Sequence, residues 1–212
     1  GLRDGHAMTM GGREVKLARH GFARKQEWKL EEQSDNMVAL SLSSADHAEL
    51  LEQYPYPFKI VARYTIDSEK VAVSYEVTNE GTEDMPFFVG GHPGFKCPLD
   101  EGESYDDYEL RFEQREAAEL CTAVPSTGLI DVEHRSKNPM IGQNLPLTHE
   151  LFDFAETIFD VLESRVVTLT KKTEDKGVRL TFPDMPYLIV WSKLEGDFVA
   201  IEPWGGLSTC SD

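Results

Sequence analysis

The 212-residue sequence is poor in cysteine, with only Cys97, Cys121 and Cys210. An odd number of cysteines at irregular spacing is not a disulfide framework, and no pair has the spacing of a metal site. Few cysteines without a disulfide pattern favour a reducing compartment, so we expect a cytoplasmic protein. The sequence also lacks an HExxH motif and a clustered carboxylate loop, and we therefore expect no metal.

Basic residues are scarce as well, since 21 lysines and arginines stand against 38 acidic residues and give a formal net charge of −17. So acidic a surface repels phosphate backbones and anionic lipid, and neither nucleic acid nor a membrane is an expected partner. We expect no membrane span and no signal peptide, because no suitable apolar run occurs. Hydrophobic residues make up 40% of the chain, which is enough for a sizeable core.

Several common enzyme motifs are missing too. The sequence contains neither the GxGxxG motif nor the phosphate-binding P-loop of nucleotide-binding proteins. The GxSxG motif of hydrolases is absent, and the cysteines lack the context of a nucleophile.

The segments that are present are mostly strand-like. β-Branched and aromatic residues between short polar turns predict strands at residues 59–66, 70–79, 108–114, 165–172, 177–183, 187–193 and 198–204. Within residues 70–79, the alternation places Val71, Val73, Tyr75 and Val77 on one face. Successive hairpins with little helix predict an all-β, antiparallel sandwich or barrel.

Helical signals are few. Residues 44–55 predict a short helix with Ser44 as its cap and Pro55 as its stop, and residues 147–154 predict a single turn. We expect residues 1–212 to form one domain. Strand-like motifs close to both ends would leave sheet edges unpaired, so we also expect the natural protein to have further terminal segments.

The first candidate site residue is a histidine in the segment "VGGHPGF". Gly90 and Gly91 allow another strand or a ligand to approach closely, and Pro93 biases His92 toward extended geometry. An imidazole held in this way suits proton transfer near neutral pH. An ordinary turn, in which the histidine only binds backbone, explains the same pattern.

The second candidate is a glutamate in the apolar segment "FVAIEPW". Burying a carboxylate among Ile201, Pro203 and Trp204 costs free energy unless the group has a charged or hydrogen-bonding partner or a function. Burial would also raise the pKa of Glu202, as a general base requires. The alternative is an outward-facing strand residue, because Glu202 alternates with Ile201.

A third segment, "RHGFARKQEW", contains His20, Arg24 and Trp28. The planar guanidinium of arginine suits paired hydroxyls, carboxylates or phosphate. In isolation, this segment is better explained as an edge strand with ordinary surface bases. Trp191 and Trp204 can stack on the apolar face of a sugar, although tryptophan more often packs in a core.

Taken together, these segments resemble the aldose 1-epimerase (galactose mutarotase) family, particularly its LacX-like branch. The matching motifs occur in the same order and cover nearly the whole chain: "HGFAR…W", "YPYPF", "GGHPGF", "LPLTHELF", "FPDMPYLIVWSK" and "IEPWGG". The resemblance implies a galactose mutarotase-type β-supersandwich, a small sugar as the partner and, since the reaction needs only proton transfer and positioning, no cofactor.

The resemblance also implies roles for the candidate residues. Glu202 removes the proton from the anomeric hydroxyl and His92 protonates the ring oxygen, so that the ring opens and recloses on the other face. His20 and Arg24 line the sugar pocket, and we assign Trp191 to substrate binding as well. The sequence carries no signal for an oligomeric state.

One position departs from the family pattern. Relatives often have an aspartate after "THELF" that holds sugar hydroxyls, and Ala155 stands at that place here. Asp153, Glu156 or Asp160 would have to take its role.

Three functions stay open at this point. We favour anomer interconversion of a free hexose, because the acid and the base are both present. A hexose-6-phosphate epimerase would need several basic residues around the phosphate, for which Arg24 has only Arg19, Lys25 and Arg63 as possible companions. A non-catalytic sugar-binding protein would be consistent with Ala155 but not with an intact His92 and Glu202.

Overall fold

The computed structural model of the protein describes residues 2–153 and 156–211, so Ala155 lies outside the described residues. The chain divides into two compact units, Gly1–Phe87 and Phe88–Asp212. Strands in antiparallel sheets dominate both units, and the helices of the described residues are single 3₁₀ turns. The predicted all-β, antiparallel architecture is therefore confirmed, while the expectation of one domain stays a prediction.

The first unit consists of a two-stranded and a four-stranded sheet. Its strands are β1 (His6–Met8) and β2 (Glu14–Lys16), which pair with each other, and β3 (Lys29–Ser34), β4 (Met37–Ser43), β5 (Phe58–Asp67) and β6 (Lys70–Asn79), which pair in chain order. Its 3₁₀ turns are Arg3–Gly5, Ala23–Lys25 and Ala48–Glu52. In the described part of the chain, no helix has the length and apolar character that a membrane span requires.

The hairpin of β5 and β6 forms as the alternation predicts. Asp67 lies opposite Lys70, so Ser68 and Glu69 make the turn, and Ser68 adopts the left-handed backbone region with a φ of 52°. The predicted apolar face of β6 is matched residue by residue on β5. Its cross-strand pairs are Val71 with Ile66, Val73 with Tyr64, Tyr75 with Ala62 and Val77 with Ile60.

The predicted helix over residues 44–55 is wrong in its extent and its cap. Only Ala48–Glu52 forms a 3₁₀ turn. The Ser44 hydroxyl accepts a hydrogen bond from the backbone N–H of Phe58 at 3.0 Å, and Ser44 N–H donates to the carbonyl of Phe58 at 3.0 Å. Ser44 thus extends the pairing of β4 with β5, because a serine side chain can satisfy a strand backbone as well as a helix end.

The second unit contains two larger sheets. Its strands are β7 (Gly94–Lys96), β8 (Tyr108–Phe112), β9 (Leu120–Val124), β10 (Leu129–Ser136), β11 (Asn144–Pro146), β12 (Thr157–Phe159), β13 (Val166–Lys171), β14 (Gly177–Thr181), β15 (Tyr187–Trp191) and β16 (Phe198–Trp204). The six-stranded sheet has the order β10-β9-β12-β15-β16-β7, and the four-stranded sheet has the order β11-β8-β13-β14. The 3₁₀ turns are Tyr105–Asp107 and His149–Phe152, and the second is the single turn predicted for this segment.

The core of the second unit lies between these two sheets. Leu110 and Leu169 of the four-stranded sheet and Leu188, Val199 and Ile201 of the six-stranded sheet belong to one buried cluster. Each fully buried aliphatic side chain contributes about 1.5–3 kcal/mol to stability. This cluster uses one face of β15 and β16, which leaves the alternate residues of both strands for the opposite face.

The opposite face of the six-stranded sheet is also covered by apolar residues. Cys121, Ala123, Ile130, Ile158 and Ile189 form a second buried cluster there. Both faces of β16 are therefore largely withdrawn from water, and a polar residue in this strand is buried whichever way it points.

Candidate active site

The segment before β7 continues the pairing of β7 with β16. The two strands pair in one antiparallel register, and Gly90 forms a bridge with Trp204 in that same register. His92 therefore stands directly opposite Glu202. In an antiparallel pair, opposite residues point to the same face of the sheet. The structure thus brings the two candidate residues together on one face, although they are far apart in sequence.

The His92 and Glu202 side chains are in contact. Nδ1 of His92 lies 2.7 Å from Oε2 of Glu202. Only 2% of Glu202 is exposed, whereas 52% of the His92 side chain is exposed. Oε2 of Glu202 has no hydrogen-bond partner among the described residues. The imidazole therefore closes over a buried carboxylate, and no sugar-sized gap separates the two groups.

The environment of Glu202 favours its protonated form. Burial raises the pKa of Glu202 to about 8, the negative charge of Glu156 raises it as well, and a hydrogen bond with the Trp204 side chain acts in the opposite direction. A protonated His92 at 2.7 Å would also oppose the shift. Because the His92 ring is half in solvent and screened by it, burial decides the direction.

Glu156 is a second carboxylate whose charge acts on Glu202. It immediately precedes β12, in which Ile158 lies opposite Ile189, and Ile189 in turn lies opposite Glu202. Because strand residues alternate between the two faces, Ile158 points to the same side as Glu202, and Glu156 lies two residues before Ile158, just outside the strand. Of the three acids that the sequence offered in place of Ala155, Glu156 is thus electrostatically coupled to Glu202.

The other two acids have different surroundings. Asp160 accepts two hydrogen bonds from Arg135, at 3.0 and 2.7 Å, and this bidentate pair is largely buried. Asp153 is exposed at the end of the 3₁₀ turn that follows "THELF". A role of either residue in sugar binding stays a prediction.

Trp191 occupies the same sheet face as Glu202. It lies in β15 opposite Ala200, the residue that precedes Glu202 on that face of β16. Its ring packs edge-on against Phe198, with 5.6 Å between the ring centroids. The half-buried indole is therefore close to the candidate site, and its contact with a sugar stays a prediction.

His20 and Arg24 belong to the first unit. His20 is exposed and has a φ of 70°, and the next residue, Gly21, has a φ of 67°, so the chain turns sharply at this point. Arg24 is exposed in the 3₁₀ turn Ala23–Lys25. Their assignment to substrate binding stays a prediction.

Trp204 contributes more than the sequence indicated. Its side chain acts to lower the pKa of Glu202, against the effect of burial, and it packs across Gly90, the residue opposite it in the neighbouring segment. The spacing of two residues between Glu202 and Trp204 could have revealed this, because strand residues two apart share a face. Among residues 2–153 and 156–211, no group of His, Cys, Asp or Glu side chains is arranged to hold a metal ion.

Gly90 is the residue whose replacement should disturb this arrangement most directly. A Cβ at Gly90 would lie 2.6 Å from Cδ1 of Trp204. We expect Gly90→Ala to lower the free energy of unfolding by about 1–3 kcal/mol, because the indole would have to move. Urea unfolding measures this loss. Gly94→Ala is the matched control, since its Cβ would meet only Phe198 at an ordinary 3.8 Å. Equal stability of the two variants would contradict the prediction.

The sequence is similar to known proteins along nearly its whole length. Residues 4–211 match the aldose 1-epimerase family. The LacX proteins of Lactococcus lactis subsp. lactis, one plasmid-borne and one chromosomal, are 42% identical over 195 residues, which is 91% of this chain. The chain spans 64% of the length of these curated relatives.

Solved structures with the same fold include two from lactobacilli. A galactose mutarotase-like protein from Lactobacillus casei ATCC 334 superposes with a TM-score of 0.85 at 28% identity, covering 99% of this chain and 71% of that one. A galactose mutarotase related enzyme from Lactobacillus acidophilus gives a TM-score of 0.83 at 26% identity, covering 100% and 69%. The predicted galactose mutarotase-type fold is thus confirmed. The chain belongs to the aldose 1-epimerase family, in its LacX-like branch.

Proposed function

We propose that the protein is an aldose 1-epimerase that interconverts the α and β anomers of a free hexose. The observation that carries the proposal is the 2.7 Å contact between His92 Nδ1 and Glu202 Oε2 on one face of the sheet. Membership of the aldose 1-epimerase family supports it. So does the likeness to two proteins described as galactose mutarotase-like and galactose mutarotase related.

The reaction requires an acid and a base that stand close together. The anomeric hydroxyl and the ring oxygen are bonded to the same carbon, so the groups that serve them must be neighbours. Glu202 takes the proton of the anomeric hydroxyl while His92 gives a proton to the ring oxygen. The ring C–O bond breaks, the C1–C2 bond rotates, and reclosure returns both protons with the roles reversed. Nothing is consumed, and positioning and proton transfer supply the catalysis.

The raised pKa of Glu202 fits the role of the base. A carboxylate with a pKa of about 8 is a stronger base, once it is ionised, than an ordinary carboxylate. In the free protein His92 covers this carboxylate, of which only 2% is exposed. We therefore expect the imidazole to turn outward when the sugar enters, so that Glu202 reaches the anomeric hydroxyl and His92 the ring oxygen.

Polarimetry of freshly dissolved α-glucose or α-galactose tests the proposed activity. The optical rotation should approach its equilibrium value faster with protein than in buffer alone, at a rate proportional to the protein concentration. A rate equal to that of buffer, with both sugars and with folded protein, would reject the proposed function.

Arg24 distinguishes a free sugar from a sugar phosphate. With a neutral substrate, Arg24→Ala should cost about 0.5–1.5 kcal/mol for one lost hydrogen bond, or about 2- to 13-fold in kcat/KM. With a phosphate, paired charge-assisted bonds would make the loss about twice as large per bond, and added salt would weaken it. We expect the smaller loss, because a chain with a net charge of −17 offers few bases around a phosphate.

The measurement compares kcat/KM for a hexose and its 6-phosphate in the wild type and in Arg24→Ala. Lys70→Ala, which removes an exposed base at the start of β6, serves as the control. A strong wild-type preference for the phosphate that Arg24→Ala alone abolishes would establish a hexose-6-phosphate epimerase instead.

A further inference from the structure

The four-stranded sheet of the first unit ends on one side in β6, whose outer edge pairs with no other strand of the described residues. The N–H and C=O groups of Phe58 and of Ile66 in β5 all bond to residues that flank β4. Because these groups alternate in direction along a strand, the odd-numbered residues of β5 bond to β6, where they lie opposite even-numbered residues. The backbone groups of Val71, Val73 and Tyr75 therefore point to the outer edge.

The outer edge of β6 lacks the features that shield the opposite edge of the same sheet. There, β3 has a register shift between Leu30 and Glu32, and charged side chains lie along it. Bulges and charges are usual means of keeping an edge strand from pairing with another chain. In contrast, β6 pairs with β5 without a shift and contains no proline. Its edge is therefore available to a further strand.

One face of β6 is apolar and exposed near the hairpin turn. Val71 is 67% exposed and Val73 is 46% exposed, and their partners on β5, Ile66 and Tyr64, are exposed as well. Further along the same face, Ile60 of β5 packs against a buried cluster of the first unit. The apolar face thus continues beyond its covered part, and contiguous exposed apolar side chains mark an interaction surface.

We propose that β6 pairs antiparallel with β6 of a second copy of this chain, around a twofold axis through Val73. In this register Val73 lies opposite the same residue of the other copy, and Val71 lies opposite the partner's Tyr75. The outward-pointing backbone groups of these residues then form about six hydrogen bonds between the copies. Two identical edges that pair in this way close the assembly at two copies.

The charges of β6 select this register. Lys70 and Glu76 are exposed, and neither has an ion-pair partner within the described part of the chain. In the proposed register Lys70 lies opposite the partner's Glu76, and the twofold axis repeats this pair. Opposite charges in cross-strand pairs stabilise a sheet.

Other registers lose these pairs. A shift by two residues is the smallest that keeps the same backbone groups at the edge, and it sets Lys70 opposite Ser74 or Thr78. Glu76 then lies opposite an uncharged residue too. In the proposed register the strand is complementary to itself, which favours a second copy over an unrelated partner.

Analytical ultracentrifugation from micromolar to millimolar protein tests the pairing, and we expect a monomer–dimer equilibrium. Lys70→Glu and Glu76→Lys each turn both attractive pairs into repulsive ones, and each should raise the dissociation constant by about 10- to 100-fold. The double variant Lys70→Glu/Glu76→Lys restores both pairs and should dimerise as the wild type does. An equimolar mixture of the two single variants should also dimerise, because each supplies the charge that the other lacks.

Val73→Lys sets two lysines opposite each other at the axis and should give a monomer. Val178→Lys is its control, because Val178 is an exposed valine in β14, an edge strand of the other four-stranded sheet. We expect this control to match the wild type. A monomeric wild type at millimolar concentration, an equal loss in the control, or a dimer indifferent to both charge reversals would overturn the proposal.

Amide hydrogen exchange shows what covers the edge. The N–H groups of Val71, Val73 and Tyr75 should exchange more slowly as the protein concentration rises. Protection that does not depend on concentration would mean that another part of the same chain covers the edge, and it would overturn a second copy as the occupant. None of the residues assigned to the sugar lies in β6, so polarimetry judges the proposed epimerase activity separately.

Discussion

Glu202→Gln is expected to lower kcat for anomer interconversion by about 10²- to 10⁴-fold, the usual contribution of a general base. The amide has nearly the size of the carboxyl group but cannot take the proton of the anomeric hydroxyl. Because Glu202 is buried, glutamine should fill the same space, and the fold should persist. Polarimetry measures the rate, and circular dichroism checks that the β-sheet signal is unchanged. Activity within a few-fold of the wild type would remove Glu202 from the mechanism.

The same substitution should change how stability depends on pH. The pKa of Glu202 is about 8 in the folded protein against an ordinary value of 4.5. Below the lower value, both the folded and the unfolded chain hold the proton. Between the two values, only the unfolded chain releases it, so the free energy of unfolding falls as the pH rises, and above about 8 the fall is complete.

The Glu202→Gln variant has no titrating carboxyl group at this position. Its free energy of unfolding should therefore not show this fall as the pH rises. Urea unfolding at acidic and alkaline pH should show the variant gaining stability relative to the wild type as the pH rises. Glu195→Gln, at an exposed position, should follow the wild-type curve. Parallel curves for Glu202→Gln and the wild type would contradict the raised pKa.

His92→Asn is the second substitution with a large expected effect, a loss of about 10²- to 10⁴-fold in kcat. Asparagine keeps a polar group of similar reach but cannot donate a proton to the ring oxygen as an imidazolium does. Since 52% of the His92 side chain is exposed, the stability should change by no more than about 0.5 kcal/mol. His134→Asn is the control, because His134 is an exposed histidine whose pKa is raised by Asp131 in β10.

The double variant His92→Asn/Glu202→Gln sharpens this test. Acid and base serve one proton exchange, so removing both should cost about as much as removing either. Polarimetry measures the rate constants of the wild type, the two single variants and the double variant. These values show whether the losses of the single variants overlap or multiply. Losses that multiply would mean that the two residues act in separate steps.

Much of the local structure was predictable from the sequence. β6 spans residues 70–79 and β16 spans residues 198–204, as the alternation indicated, and five further strands begin and end within two residues of their predicted limits. Strand alternation and turn residues are local signals, so they can be read without knowing which strands pair. Ser44 shows the limit of such reading, because a serine signals a helix cap and a strand edge equally well.

The chemistry of the candidate site was only partly predictable. The glycines and proline around His92 and the apolar neighbours of Glu202 marked both residues, because special backbone geometry and a carboxylate in an apolar strand are visible in sequence. The order of the motifs indicated the family. Neither signal indicated how close His92 and Glu202 lie, because the sequence of a strand does not specify which other strand it pairs with.

The tertiary structure determined which of these residues lie close together and which of them are buried. The antiparallel register sets His92 opposite Glu202, and a slip of one residue would have turned the imidazole to the other face. Packing of apolar residues on both faces of β16 buries Glu202 and raises its pKa, although alternation alone allowed it to face water. β12, which Glu156 directly precedes, lies two strands from β16 in the same sheet, and nothing in its own sequence announces that position. The sequence determined which side chains and strands are available, whereas long-range strand pairing, set by the burial of the whole sheet, determined which of them meet.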